Sequence, residues 1–200
     1  MSYEQSQMVS INAGLWLEDP DVDAITRLSL SPRCQSFKGH SVVLSQDTWS
    51  PINTQNTALT REAAQAYYYV RMGHPIQNIK IDRYGDILSG YFVQKCAKHL
   101  GHAIRFGTPI CDHKRTPHDL MQDIYQELAG MMLIEELLPW LVELKIEGST
   151  YLEAYECLAN RLGEACAHFK GSMWNDGGEQ FLRATSENMK TWISAVKKLN

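Results

Sequence analysis

The sequence predicts an α/β fold that ends in a pair of packed helices. Short candidate strands alternate with candidate helices between residues 41 and 140, an order typical of a sheet covered by helices. Beyond Pro139 this alternation stops, and two long helical patterns follow with a glycine-rich turn between them. The apolar share of 44% and the charged share of 21% are those of a globular chain with a buried core.

The first fifty residues are predicted to be mostly irregular. Turn signals interrupt them at Asp19-Pro20-Asp21, Ser31-Pro32 and Lys38-Gly39. Only residues 41 to 44 have the apolar character of a short strand. We therefore expect this part of the chain to form loops that pack on the rest.

A strand and then a helix are predicted from residue 56. Residues 56 to 59 have strand character, and Thr60 can cap a following helix through its hydroxyl. This helix is expected to reach the tyrosines at 67 to 69 and to be stopped by Gly73 and Pro75.

A second helix is predicted to start at Asp86 and to end at Gly101. Five residues fall on one helical face, namely Leu88, Tyr91, Phe92, Cys96 and His99. Residues 103 to 106 then have strand character. A third helix is predicted after the segment Thr116-Pro117-His118-Asp119, which offers a capping hydroxyl, a proline and an acid, and it runs toward Pro139.

The last sixty residues are predicted to form an antiparallel helical hairpin. Residues 150 to 153 form a capping box, followed by apolar residues at spacings of three and four: Tyr155, Leu158, Leu162, Ala165 and Phe169. The second helix repeats the spacing with Leu182, Thr185, Met189, Trp192, Val196 and Leu199. Burial of one helix against the other is favoured over a subunit interface. We divide the chain into residues 1–140, an α/β region, and residues 141–200, a helical appendage.

Charge and composition exclude several classes of protein. A net charge of −4 argues against a nucleic-acid surface, and no apolar run approaches the roughly 20 residues of a membrane span. The polar N-terminus does not have the pattern of a secretory signal. Five scattered cysteines without a C-x-x-C motif are typical of reduced thiols, so a cytoplasmic protein is predicted.

Polar segments between strands and helices are the places where an α/β protein gathers functional groups. In residues 50 to 57, the amides of Asn53 and Asn56 could bind sugar hydroxyls or a phosphate, although an ordinary polar loop is favoured by composition. Asp82 and Asp86 bracket Arg83 at a helix start. Asp86 can be stabilised there simply by the helix dipole, or it can orient an acceptor hydroxyl and act as a base, and both interpretations stay open.

The third segment is Cys111-Asp112-His113, with His118 and Asp119 downstream. Carboxylate and imidazole ligands together suit Mn²⁺ or Mg²⁺ bound with a diphosphate, but two neighbouring histidines also occur by chance. The sequence contains no Ser-His-Asp signature, Walker loop or Rossmann glycine fingerprint, so a hydrolase or a dinucleotide enzyme has no support.

Four motifs carry a family resemblance: GLWLEDPDVDA (14–24), SPINTQNTALTREA (50–63), DRYGDILSGYF (82–92) and HLGHAIRFGTPICDH (99–113). The series resembles the reversibly glycosylated polypeptide family, the UDP-arabinopyranose mutases, and more distantly the STELLO-type glycosyltransferases. The resemblance covers residues 12 to 140.

This resemblance implies a partial glycosyltransferase A-type fold, a UDP-sugar as substrate and a divalent cation, Mn²⁺ or Mg²⁺, as cofactor. It implies that Asp86 lies in the acid motif on the acceptor side and that His113 contacts the metal or the diphosphate. It further implies that Asn53, Asn56 and Arg83 bind the substrate. A UDP-sugar mutase or glycosyltransferase is therefore the favoured function.

The chain departs from the family pattern at three places. Gly85 replaces the first of two paired aspartates, and residues 36 to 38 read Ser-Phe-Lys where the glycosylated arginine is expected, with Arg33 the nearest arginine. The Asp-x-Asp nucleotide-binding half is not found before Gly14. The chain is then expected to be a fragment or partial gene product, to pair with a separate nucleotide-binding chain, or to have lost catalysis. A homo-oligomer is the other partner considered. The alternative is a non-catalytic binding or assembly module with a degenerate sugar site.

Overall fold

The computed structural model describes residues 7–76, 78–165 and 169–199. The strands are β1 (Val9–Glu18), β2 (Val42–Val43), β3 (Thr57–Leu59), β4 (His74–Ile76), β5 (Ile79–Ile81) and β6 (Ala103–His113). The helices are α1 (Ala24–Leu30), α2 (Arg61–Ala64), α3 (Gly85–His99), α4 (Leu120–Glu143), α5 (Tyr151–Ala165) and α6 (Glu179–Lys197), with a π-helical turn at Trp174–Gly178 before α6. The predicted α/β class with a C-terminal helical hairpin is confirmed.

The main sheet has the strand order β2-β6-β1-β3. Its two long strands, β1 and β6, run parallel from the pair Val9 and Ala103 to the pair Glu18 and His113, and the short strands β2 and β3 are antiparallel to their neighbours. The prediction that residues 1 to 50 are irregular was wrong, because β1 lies at the centre of this sheet. Its partner strand β6 is far away in the chain, and Gly14 interrupts the apolar pattern of β1. Local sequence signals therefore did not identify β1 as a strand.

A second difference is the hairpin of β4 and β5, which was not predicted. It is a separate antiparallel pair that packs on α4.

The helix expected to reach the tyrosines at 67 to 69 is also shorter than predicted. Thr60 does cap it, with its hydroxyl 3.2 Å from Ala63 N, but α2 ends at Ala64. The chain beyond is held by α3 instead, since Ser89 Oγ accepts a hydrogen bond from Val70 N at 2.9 Å.

The helices α3 and α4 confirm most of the local signals. The helix predicted from Asp86 forms as α3 and is followed by Gly101 in the left-handed region, at φ 71°. Asp119, rather than Thr116, caps α4, because its carboxylate accepts hydrogen bonds from Met121 N and Gln122 N at 3.0 and 3.2 Å. Helix α4 also continues through Pro139 to Glu143.

The C-terminal hairpin forms as predicted between α5 and α6. The two helices are antiparallel, since Lys197 pairs with Glu156 at 2.7 Å while Ser186 Oγ donates to Ala159 O at 2.6 Å. The capping box at 150 to 153 is present. Leu199, however, is 84% exposed, so the prediction that it lies in the seam was wrong.

The hairpin also packs on the α/β region. The indole of Trp192 is half-buried and donates to Gln65 O at 2.8 Å, while the hydroxyl of Tyr151 donates to Ser10 Oγ at 2.6 Å. The division of the chain at residue 140 stays a prediction. None of the described helices is long and apolar enough to cross a lipid bilayer.

Candidate functional site

A cleft of about 680 Å³ opens beside the first turn of α3. Its walls come from the second half of β1, the segment 21–25, the loop 51–55, the start of α3 and the middle of α4. Its volume lies in the range of roughly 300–1,000 Å³ that holds small-molecule ligands in proteins. We call it the Asp86 cleft, because Asp86 is the acid at the start of α3 that lines it.

Asp86 is a half-buried carboxylate with a perturbed protonation equilibrium. Burial raises the pKa of Asp86, and the negative charge of Asp21 raises it further. Hydrogen bonds from the backbone N–H groups of Ile87 and Thr54 oppose that shift. A carboxylate held in a cleft with a raised pKa is a candidate acid or base, whereas an acid that only caps a helix would keep a lower pKa.

The two asparagines of the loop are placed differently. Asn53 lines the Asp86 cleft, where its Nδ2 donates to Asp21 Oδ2 at 3.1 Å and its Oδ1 accepts from Gln55 N at 3.2 Å. Asn56 is not among the described residues that line the cleft. Its Nδ2 donates to Leu15 O at 2.9 Å, so it ties the loop to β1.

Arg83 lines the cleft in a left-handed backbone conformation, at φ 49°. Its guanidinium pairs with Asp123 of α4, and Nε lies 3.9 Å from Glu127 Oε1. Asp123 also contacts Arg115 at 3.2 Å and His118 at 2.9 Å. Two acids of α4 therefore fix Arg83 at the wall of the cleft and offset much of its charge.

His113 lies at the end of β6 and outside the described lining of the Asp86 cleft. Its Nδ1 is 2.6 Å from Asp19 O, and its ring centroid is 6.2 Å from that of Trp16, which does line the cleft. His113 thus lies beside Trp16 but outside the described lining that contains Asp86. Within the described ranges, no three His, Cys, Asp or Glu side chains are grouped to hold a metal ion. These residues alone do not fit a metal centre, and ligation by His113 stays a prediction.

Comparison with known proteins shows the family to which this chain belongs. The sequence profile of the family described as reversibly glycosylated polypeptide matches residues 1–200. The chain belongs to the reversibly glycosylated polypeptide family. The match extends beyond residues 12 to 140, where the resemblance was predicted, and includes the helical hairpin.

Among curated proteins, this family member is similar to plant enzymes. It is 25% identical over 204 residues to "UDP-arabinopyranose mutase 1" of Arabidopsis thaliana, covering 100% of the chain and 53% of that protein. It is also 25% identical over 204 residues to "Probable UDP-arabinopyranose mutase 2" of Solanum tuberosum, covering 100% of the chain and 52% of that protein. The chain thus spans about half the length of the curated relatives it matches.

Gly85 lies where the backbone leaves no room for a side chain. A Cβ atom at position 85 would overlap the carbonyl oxygen of Val70. A second acid cannot therefore be placed before Asp86 without moving the segment after α2. Asp86 is the carboxylate that this arrangement retains.

Gly90 lets α3 approach the loop that carries Asn53. A Cβ atom at Gly90 would lie 2.7 Å from Ile52 O, a backbone atom that can yield only if the loop moves. We expect Gly90→Ala to destabilise the chain by about 1–3 kcal/mol in urea unfolding, because overpacking outweighs the gain of about 0.5–1 kcal/mol from alanine in a helix. Gly39→Ala is the control, since its Cβ would meet Phe37 at an ordinary 3.6 Å. Equal stability of the two variants would contradict the close approach.

Several residues of the cleft were not predicted from sequence, namely Asp21, Tyr69, Tyr84 and Glu127. Burial raises the pKa of Tyr84 to about 12, and its ring packs on α4 where Gly130 leaves no Cβ. A glycine within a long helix often marks such a close packing contact, so Gly130 was the available signal.

Proposed function

We propose that this chain contributes the acceptor side of a UDP-sugar site, for a mutase or glycosyltransferase reaction in which Asp86 is the acid-base group. The observation that carries the proposal is the half-buried Asp86 carboxylate in a cleft of about 680 Å³. The names of the relatives, UDP-arabinopyranose mutases, supply the substrate class.

The chemistry assigned to Asp86 follows from its surroundings. A carboxylate with a raised pKa is a better base when ionised, and it can accept the proton of a sugar hydroxyl within hydrogen-bond reach. Asn53 and Arg83 lie in the same cleft and would hold polar groups of the sugar or the diphosphate. The aromatic side chains of Trp16 and Tyr91 line it as well and would exclude water from the bound sugar.

In the proposed glycosyltransferase A-type arrangement, the cleft lies against the parallel pair of β1 and β6, since residues 13 to 16 of β1 and Phe106 of β6 line it. We further propose that a nucleotide-binding unit, comparable to the half of the relatives that this chain does not span, completes the UDP site.

A turnover assay tests this function. With UDP-arabinopyranose as substrate and the nucleotide-binding half of a relative supplied, we expect Asp86→Asn to lower the rate of sugar conversion by about 10²–10⁴-fold, the usual contribution of a positioned acid or base. Asp47→Asn is the control, because Asp47 is exposed and lies outside the described lining of the cleft. A rate unchanged by Asp86→Asn would contradict the role of Asp86.

The second candidate, a non-catalytic binding or assembly module, is favoured by one observation: Arg83 pairs with Asp123 of α4, which offsets the charge that it would present to a diphosphate. In that case the chain would bind UDP-arabinopyranose without converting it, and supplying a nucleotide-binding partner would not restore turnover.

A further inference from the structure

A second cavity lies at the C-terminal end of α3, away from the Asp86 cleft. Its volume is about 400 Å³, and its walls come from the loop 46–49, the last turn of α3 and the segment 142–146. The two described linings share no residue, and Lys95 follows Asp86 by nine positions in α3, a rise of roughly 14 Å. We call this cavity the lysine pocket, because Lys95, Lys98 and Lys145 line it.

Lys95 is a buried cation that lacks an anionic partner. The residue is 7% exposed, and its Nζ donates to Val142 O at 3.1 Å. Among the described residues, Lys95 makes no ion pair with a carboxylate, and two of its three donors have no acceptor. Burial lowers the pKa of Lys95, because the ammonium group loses its hydration. The bond to Val142 O complements the C-terminal end of α4, but a neutral carbonyl does not cancel a buried charge.

Two further ammonium groups add positive charge to the pocket. Lys98 uses its three donors on carbonyl oxygens of the loop 45–48, at 2.9 to 3.0 Å, so it supplies charge but no free donor. Lys145 is exposed and makes no ion pair among the described residues. Asp47 is the acid of the described lining, so three lysines and one aspartate give a formal charge of +2 with His99 counted as neutral. In a chain of net charge −4, such a pocket attracts anions.

The rest of the lining is largely apolar. Trp49, Leu144 and Ile146 contribute most of this surface. The Nζ atoms of Lys98 and Lys95 lie 5.2 and 6.0 Å from the ring centroid of Trp49, so the charged and apolar parts of the pocket adjoin each other. The volume lies at the lower end of the roughly 300–1,000 Å³ that holds small organic ligands in proteins. The pocket therefore has room for a carbon frame beside an anionic group.

We propose that the lysine pocket binds a small organic phosphate, with the phosphate on Lys95 and Lys145 and the carbon frame on Trp49 and Leu144. A phosphate group offers three acceptor oxygens and up to two negative charges, which match the two free donors of Lys95 and the charge of the lining. A carboxylate offers one charge and two oxygens and matches less well. Asp47 has no part in this binding, since its charge repels a phosphate.

A titration with phenyl phosphate, followed through the indole N–H signals of the tryptophans by NMR, tests the proposal. We expect the signal of Trp49, assigned with Trp49→Phe, to shift with a Kd below about 5 mM. The signal of Trp192, which lies in the hairpin, should not move. Inorganic phosphate should shift the Trp49 signal with a Kd at least about 3-fold higher, because it buries no carbon frame.

Benzyl alcohol, which has the ring without the phosphate, should leave the Trp49 signal unchanged at the same concentrations. A Trp49 signal that does not move at about 20 mM phenyl phosphate would overturn the proposal. An equal response to benzyl alcohol would also overturn it, and equal Kd values for the two phosphates would overturn the assignment to an organic phosphate.

Variants that remove one charge locate the bound phosphate. We expect Lys95→Met to raise the Kd for phenyl phosphate by at least about 10-fold, because a charge-assisted hydrogen bond is lost. Lys145→Gln, at an exposed position, should raise it by at least about 3-fold and decides the matter if circular dichroism shows that Lys95→Met is not folded. Lys80→Gln is the control, since it removes an exposed lysine of β5 outside the described lining. The parent Kd in the folded lysine-pocket variants, or shifts confined to the Ile87 methyl of the Asp86 cleft, would contradict the assigned site.

Discussion

Replacing Asp123 by alanine is expected to destabilise the chain by about 3–5 kcal/mol. The carboxylate is buried, at 4% exposure, and it is shared by Arg83, Arg115 and His118. The side chain of Arg115 is only 10% exposed, and its Nε and Nη1 are buried without a hydrogen-bond partner among the described residues. Removing Asp123 would leave that guanidinium without its counter-charge, and urea unfolding at neutral pH measures the loss.

The Asp112→Ala variant is the matched control for this experiment. Asp112 is an exposed acid near the end of β6, so its removal should change the free energy of unfolding by no more than about 0.5 kcal/mol. A loss below about 1 kcal/mol in Asp123→Ala would mean that the network of α4 with Arg83 contributes little to stability.

The Leu182→Ala variant is expected to lose about 2–5 kcal/mol, whereas Leu199→Ala should lose almost nothing. Both leucines follow the helical spacing of α6, but Leu182 is fully buried against α5 and Leu199 is 84% exposed. The lost transfer energy and the cavity left behind make the first change costly. Thermal and urea unfolding of the two variants measure this difference, and similar losses in both would contradict the described seam.

The sequence predicts an element well when the residues that determine it lie close together in the chain. Helices α3 and α5 were predicted well because apolar spacing, a capping box and Gly101 lie within the elements or directly beside them. Strand β1 was missed because its identity depends on pairing with β6, almost half the chain away. Helix α2 was predicted too long because Ser89 of α3 holds the backbone of Val70 away from a helical path.

The same distinction applies to the candidate site. Asp86, Asn53 and Arg83 lie in loops or at a helix start, where local sequence patterns predict exposed polar groups, and all three line the cleft. Glu127 was missed because it reaches the cleft from α4, through long-range packing. Its Oε2 accepts a hydrogen bond from Ala24 N at 2.9 Å, a contact that spacing along the chain does not predict.

The central claim is that the Asp86 cleft binds the sugar part of a UDP-sugar, and methyl NMR during a titration with UDP-arabinopyranose tests it most directly. We expect the methyl shifts of Ile52, Ile87 and Met131 to change with one common Kd, because these residues line the cleft. The methyls of Leu158 and Leu182 in the hairpin seam should not move. Shift changes confined to the hairpin, or an unchanged cleft at millimolar UDP-arabinopyranose when the nucleotide-binding half of a relative is also supplied, would contradict the account.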